Sequence, residues 1–386
     1  MGLLLNRHHP FFGAVFFFEV VSVLCLSVLP VAADDTRTGF FPHAISLADF
    51  NNDGTLDMAV PAAAERKVTV LFGDGKGGIN GNHSYPVGKG PTWVETADLN
   101  GDGHVDLVTT NTGDASLTIY LGDGQGNFDN RHEIKGIHGP ASVVAADFNG
   151  DGRPDLAVAQ AAQSRVLILL NRRGGTIVPW RFYKVGRGPH IISTTDLNED
   201  GMPDLVVGCL GPHTLTVLLA KSDGSFRDPI VVPVGRFPHY RVFGDWDGDG
   251  HIDVAVVVAG EDAVDILQGD GKGNLRKTVS YPVGTNPHGL GVGDFNGDGY
   301  LDLAVSNRSS RDLHIMLGDG AGAFLPKSPI PTGQDIIALA VGDFDKDRHA
   351  DLALVSATSH RVVLLKGDGA GHFMPFPAQK SGGHHP

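Results

Sequence analysis

One acidic loop recurs seven times along this chain at an unbroken interval of 49 residues, beginning at Asp49, Asp98, Asp147, Asp196, Asp245, Asp294 and Asp343. A repeat of this length constrains the fold more than any local signal, because each unit must be one supersecondary element that stacks on its neighbours. The copies read DFNNDGTLD, DLNGDGHVD, DFNGDGRPD, DLNEDGMPD, DWDGDGHID, DFNGDGYLD and DFDKDRHAD. Each unit carries four short apolar stretches of strand character and no long stretch of helical period. In the first unit these are 43–50, 56–63, 67–72 and 83–87, separated by the acidic loop, a middle connection and the glycine-rich turn GDGKGG. Four strands joined by short turns make one blade, and seven blades close a ring. The expected fold is therefore all-β: a seven-bladed β-propeller with four antiparallel strands per blade.

The second and third stretches of each unit, such as 56–60 and 68–71, are nearly continuous apolar runs. Runs of that kind suit sheets covered on both faces. A small residue precedes every loop (Ala48, Ala97, Ala146, Thr195, Gly244, Gly293, Gly342), which suggests crowding where the inner strands converge on the axis. The remainder of the chain is mostly an N-terminal leader. Phe11–Leu29 is largely apolar and Val31-Ala32-Ala33 has the form of a cleavage site, so residues 1–33 are expected to be a signal peptide. The propeller is assigned to 34–381 and a short tail to 382–386. A retained membrane anchor is the alternative for the leader. Cleavage would leave one cysteine, Cys209, so no intrachain disulfide would staple the mature protein. The expected location is secreted, periplasmic or at the cell surface.

The unit, a D-x-[DN]-x-D-G-x-x-D loop, then a Leu/Val-rich strand, then G-D-G-x-G, resembles the FG-GAP/VCBS repeat over roughly residues 38–380. The resemblance implies a propeller of the integrin-α head type, calcium in the loops, and a functionally broad family whose members include lectins and secreted proteins. It speaks to the fold and the metal and leaves the ligand open.

Read as chemistry, the loops present side-chain oxygens at positions 1, 3, 5 and 9, which suits a hard cation such as Ca²⁺. The expected ligands are Asp49, Asn51, Asp53 and Asp57; Asp98, Asn100, Asp102 and Asp106; Asp147, Asn149, Asp151 and Asp155; and Asp196, Asn198, Asp200 and Asp204. The last three blades add Asp245, Asp247, Asp249 and Asp253; Asp294, Asn296, Asp298 and Asp302; and Asp343, Asp345, Asp347 and Asp351. Up to seven ions are expected, against a formal charge of −14. An EF-hand is excluded, since it needs Glu at position 12 and flanking helices. Four carboxylates make blade 5 the expected tightest site. Blade 7 also has four, but Arg348 replaces the loop glycine, so its site is expected to be the weakest or vacant.

Six residues before each loop the seven positions read His43, Thr92, Ala141, His190, His239, His288 and Ile337. Four histidines, each after proline, would ring the axis at the end opposite the acidic loops. Trp93, Tyr240 and Arg241 lie on the same strand ends, and Asn111, His213, Asn307, Arg308 and His360 on neighbouring connections. Such loops often carry ligands over a rigid base. Duplication of the blades would also repeat these histidines without any function.

The leading expectation is a non-enzymatic binding scaffold for an extracellular protein or glycan, monomeric and free of the membrane once the leader is cleaved. The rival is a polysaccharide lyase or hydrolase using a histidine, Tyr240 or Arg241, with Glu95 and Glu261–Asp262 the one thin carboxylate pair. No basic run suggests nucleic acid, and neither a G-x-S-x-G elbow nor an H-E-x-x-H helix is present. The sequons Asn82-His83-Ser84 and Asn307-Arg308-Ser309 match the glycosylation pattern.

Overall fold

Seven four-stranded antiparallel units follow one another around a ring in the computed structural model, which describes residues 36–40, 42–173 and 175–376. The expected leader, 1–33, and the tail, 382–386, lie outside these residues. Blade 2 shows the pattern: strands Pro91–Ala97, Asp106–Asn111, Ser116–Leu121 and Asn130–Lys135 pair in sequence order from the axis outward. Blade 6 adds a short extra segment, Ile330–Pro331, beside its third strand. Apart from short 3₁₀ turns the described residues hold no helix, and none long and apolar enough to cross a membrane.

Burial accounts for the apolar runs. The second strand of every blade is buried at all six positions. The core divides into seven clusters, one at each junction between adjacent blades, and the last joins blade 7 to blade 1. A lone blade would leave both faces wet, so stability comes from the ring.

The aromatic residue ending the glycine-rich turn packs edge-on against the ring at loop position 2 of the preceding blade, as Phe128 does on Phe50 and Phe373 on Phe295. The same turn donates a backbone hydrogen bond to that residue's carbonyl, Gly126 N–H to Phe50 O at 3.0 Å and Gly322 N–H to Trp246 O at 2.9 Å. The small residues before the loops are explained here too, and differently from the expectation. A Cβ on Gly244 would sit 2.6 Å from Leu301 of the next blade and 2.9 Å from Trp246. Packing against the neighbouring blade, rather than crowding at the axis, enforces the small side chain.

Segments from both ends of the described residues complete blade 7. Phe373–Pro375 pairs with one half of the third strand, Arg361–Gly367, and Arg37 bridges Arg361 in the other half. Thr38 donates its N–H to His360 O at 3.0 Å and accepts the Thr69 hydroxyl at 2.9 Å. Starting the chain at Phe40 is therefore expected to cost about 1–2 kcal/mol, from the loss of roughly two net hydrogen bonds. Thermal unfolding checks this, and an unchanged melting temperature would deny the N-terminal segment a role in closure.

Candidate functional site

Proline opens the innermost strand in blades 2 to 6, as at Pro189, Pro238 and Pro287. This strand is a sheet edge facing the axis, where a missing N–H is tolerated. Directly after the proline the register slips, between Pro189 and Ile192, Pro238 and Arg241, and Pro287 and Leu290. The bulge frees His190-Ile191, His239-Tyr240 and His288-Gly289 from regular pairing and turns side chains toward the axis.

Those side chains enclose an axial cavity of about 260 Å³. His190, His239 and His288 form a chain of rings, with centroids 5.4 Å apart for the first pair and 4.5 Å for the second. Trp93 and Tyr240, from blades far apart around the ring, stack at 5.7 Å and 29° and lie among the lining residues. The Tyr240 hydroxyl donates to His43 O at 3.3 Å, so three blades are tied together at this level. Exposed His43 and Arg308, which pairs with Asp335 at 3.4 Å, also line it.

Burial sets the charge state. Loss of solvation pulls the His190 pKa down to about 4, His239 to about 3 and His288 to about 4, helped by neighbouring cationic groups. All three are neutral imidazoles at physiological pH. His288 Nδ1 lies 2.7 Å from Ile337 O. A carbonyl only accepts, so Nδ1 carries the proton and Nε2 keeps its lone pair. The buried Nδ1 atoms of His190 and His239 have no hydrogen-bond partner within the protein. Among the described residues, no three histidine nitrogens converge closely enough to hold one metal ion.

Arg241 does not join the site. It is 5% exposed and braces blade 4, donating to Ser193 Oγ at 3.1 Å, Val206 O at 2.8 Å and Ile191 O at 2.9 Å. Burial lowers its pKa to about 10. The bulge explains the placement: Tyr240 turns to the axis and its neighbour turns into the blade. Asn111 and Asn307 are fully buried and hold their turns, bonding Ser116 and Thr118 in one case and Asp312 in the other. Burial also removes Asn307 as a glycosylation acceptor, whereas Asn82 is exposed on an outer strand. Neither Glu95 nor Glu261–Asp262 lines the cavity. Glu95 lies on the inner strand beside Trp93, with its pKa raised to about 7 by desolvation, while Glu261 accepts the Arg236 N–H at 3.1 Å.

One exposed aromatic residue, next in sequence to the proline that opens the inner strand of blade 5, escaped the sequence reading. Phe237 is 48% exposed at φ +56°, beside His213 at 5.1 Å. Blades 2, 3 and 4 place Gly90, Gly139 and Gly188 in the same left-handed conformation. An aromatic residue held there is strained, and strain of this kind gathers at ligand-binding sites. The signal was a bulky residue in phase with glycines.

At the opposite end the acidic loops fold around their own oxygens. Asp49 accepts the N–H groups of Asp53 at 3.1 Å and Gly54 at 2.8 Å, and Asp53 accepts that of Thr55 at 2.8 Å. The ninth-position aspartates do more than close the loop. Asp106 is fully buried, and its two oxygens take Leu99 N–H and Gly122 N–H, both at 2.8 Å. The same pair of bonds recurs at Asp57, Asp204, Asp253, Asp302 and Asp351. This residue locks loop, second strand and third strand together. The oxygen-only donor sets of blades 1, 2 and 6 fit a hard cation. Asp245, Asp247 and Asp249 in blade 5, and Asp343, Asp345 and Asp351 in blade 7, each bring carboxylate oxygens within 4.8 Å of one another. Arg348 in blade 7 sits at φ +70°, the strained conformation a glycine would accept.

Six overlapping segments, 49–109, 98–158, 147–207, 196–256, 245–305 and 294–354, match the FG-GAP-like repeat. The chain belongs to the FG-GAP-like repeat family. Its propeller is similar to that of BBS1N, solved in complex with ARL6DN, at 14% identity and TM-score 0.61, covering 89% of this chain and 95% of that one. An Agrocybe aegerita lectin that recognises non-reducing terminal N-acetylglucosamine matches at 20% identity and TM-score 0.54, covering 77% and 81%. Virginiamycin B lyase from Staphylococcus aureus matches at 12% identity and TM-score 0.55, covering 84% and 92%. At such identities the likeness is one of fold alone. No curated protein matches the chain.

Proposed function

We propose that this FG-GAP-repeat propeller is a secreted or cell-surface, calcium-stabilised, non-enzymatic binding scaffold that seats a small terminal group, foremost a sugar, in its axial cavity. The carrying observation is the cavity: about 260 Å³, with a stacked Trp93–Tyr240 pair and neutral imidazoles in its lining. Ligand pockets for drug-sized molecules run from about 300 to 1,000 Å³, so this one suits a single ring or one protruding side chain. The aromatic pair offers an apolar face, and the His288 Nε2 lone pair accepts a hydroxyl proton. No paired carboxylates and no nucleophile with an adjacent base line the cavity, which favours binding over turnover. Proteins of this fold recognise both glycans and protein partners, which supports the scaffold class.

The loops of blades 1, 2, 5 and 6 would hold Ca²⁺ through their side-chain oxygens, and the ion would neutralise crowded carboxylates. Their task is to stiffen the end opposite the cavity.

The test is binding of the calcium-loaded chain to an array of terminal glycans. A saturable hit is expected, weakened at least about tenfold by Trp93→Ala, since stacking and hydrogen bonds of this kind are worth roughly 1–3 kcal/mol. Silence across the array, or binding that ignores Trp93 and the triple change of His190, His239 and His288 to Ala, would remove the cavity as a glycan seat.

A further inference from the structure

We propose that blade 7 carries its own cation: the Lys366 ammonium occupies the place where the loops of blades 1, 2, 5 and 6 would take calcium. Lys366 Nζ forms ion pairs with Asp345 and, at 2.6 Å, with Asp347, two of the four loop positions expected to bind metal. Asp343, Asp345 and Asp351 bring carboxylate oxygens within 4.8 Å of one another, but a divalent ion would have to displace the ammonium held on Asp345 and Asp347, so with Lys366 in place this loop does not fit the metal that the repeat family implies.

The chain's own repeats supply independent support. Lys366 is the penultimate residue of the third strand, and the residues in phase with it are Phe72, Leu121, Leu170, Leu219, Gln268 and Leu317. Five are apolar, and in those five blades loop position 3 is Asn (Asn51, Asn100, Asn149, Asn198, Asn296). The two polar residues fall in the two blades where position 3 is Asp. Gln268 donates to Asp247 and Lys366 pairs with Asp345. An extra carboxylate is thus matched each time by a donor from the third strand. The neutral amide of Gln268 leaves blade 5 acidic and open to an ion, whereas Lys366 neutralises charge in blade 7. Arg153 in blade 3 and Arg227 beside blade 4 each touch one fifth-position carboxylate and bridge no second one. Blade 7 is also where the two ends of the described residues meet. A loop with a tethered cation lets the ring close without waiting for metal.

This inference rests on the calcium reading of the other loops, and the experiment separates the two. Calcium bound per full-length chain is measured by equilibrium dialysis for the native protein and for the double variant K366L/D345N, which restores the pattern of the other blades. One additional ion per chain is expected in the variant, and equal numbers would overturn the proposal. Melting of K366L alone is followed in chelator, where unrelieved carboxylate repulsion should lower the midpoint by a few degrees and calcium should restore it. If neither protein binds calcium, the calcium reading fails. The chelator melt then decides the role of Lys366, and an unchanged midpoint refutes it.

Discussion

Asp106→Ala is expected to cost the fold about 3–5 kcal/mol even in chelator, because it strands two buried backbone N–H groups that a carboxylate now satisfies. The aspartate is fully buried and accepts Leu99 N–H and Gly122 N–H at 2.8 Å each. Hydrogen bonds to charged groups are worth roughly 1.5–3 kcal/mol apiece, so two of them outweigh any single surface contact. Exposed Asp102 in the same loop accepts His104 N–H at 2.9 Å in solvent. Asp102→Asn should cost less than about 1 kcal/mol under the same conditions. Urea unfolding of both variants, with and without calcium, measures the contrast. Equal losses seen only when calcium is present would mean that Asp106 acts as a ligand and braces nothing.

Acid should weaken the protein through its axial histidines. Their folded pKa values lie at about 4, 3 and 4 for His190, His239 and His288, below the 6.5 of a free imidazole. Between those values and 6.5 the unfolded chain binds more protons, so stability rises with pH across that window and falls on acidification. The stability is fully present above pH 6.5 and declines as the pH falls toward 4. By pH 4.5 the cost is on the order of 2 kcal/mol per histidine. Desolvated Asp57, Asp106, Asp155, Asp204, Asp253 and Asp351, with pKa values raised to about 6 in the metal-free loops, act in the opposite sense. The discriminating quantity is therefore the difference between the native chain and its triple His→Gln variant, measured from pH 7 to 4.5. Parallel stability profiles would show that these imidazoles charge freely in the folded state.

Some side-chain roles were readable in one dimension and others were not. The in-phase histidines pointed to the axial cavity because equivalent positions in a ring of blades must meet at the axis. Arg241 was placed at that cavity, yet one bulge after Pro238 sends Tyr240 inward and Arg241 into the wall of blade 4. A bulge alters facing without leaving a mark in the hydrophobic pattern. Lys366 and Phe237 were overlooked although alignment of the repeats carries their signal, the first as a lysine in phase with leucines, the second as an aromatic residue in phase with glycines.

The periodic spacing by itself determined the architecture, since a 49-residue unit with two apolar strands can bury them only against copies of itself. It also placed every acidic loop at one end of the ring and the histidines at the other. Tertiary structure alone decided what spans different blades: the stack of Trp93 on Tyr240, the shared closure of blade 7 by both ends of the described residues, and the ninth-position aspartates as internal braces. Those contacts depend on where the ring brings distant residues together, and no interval along the chain records that distance.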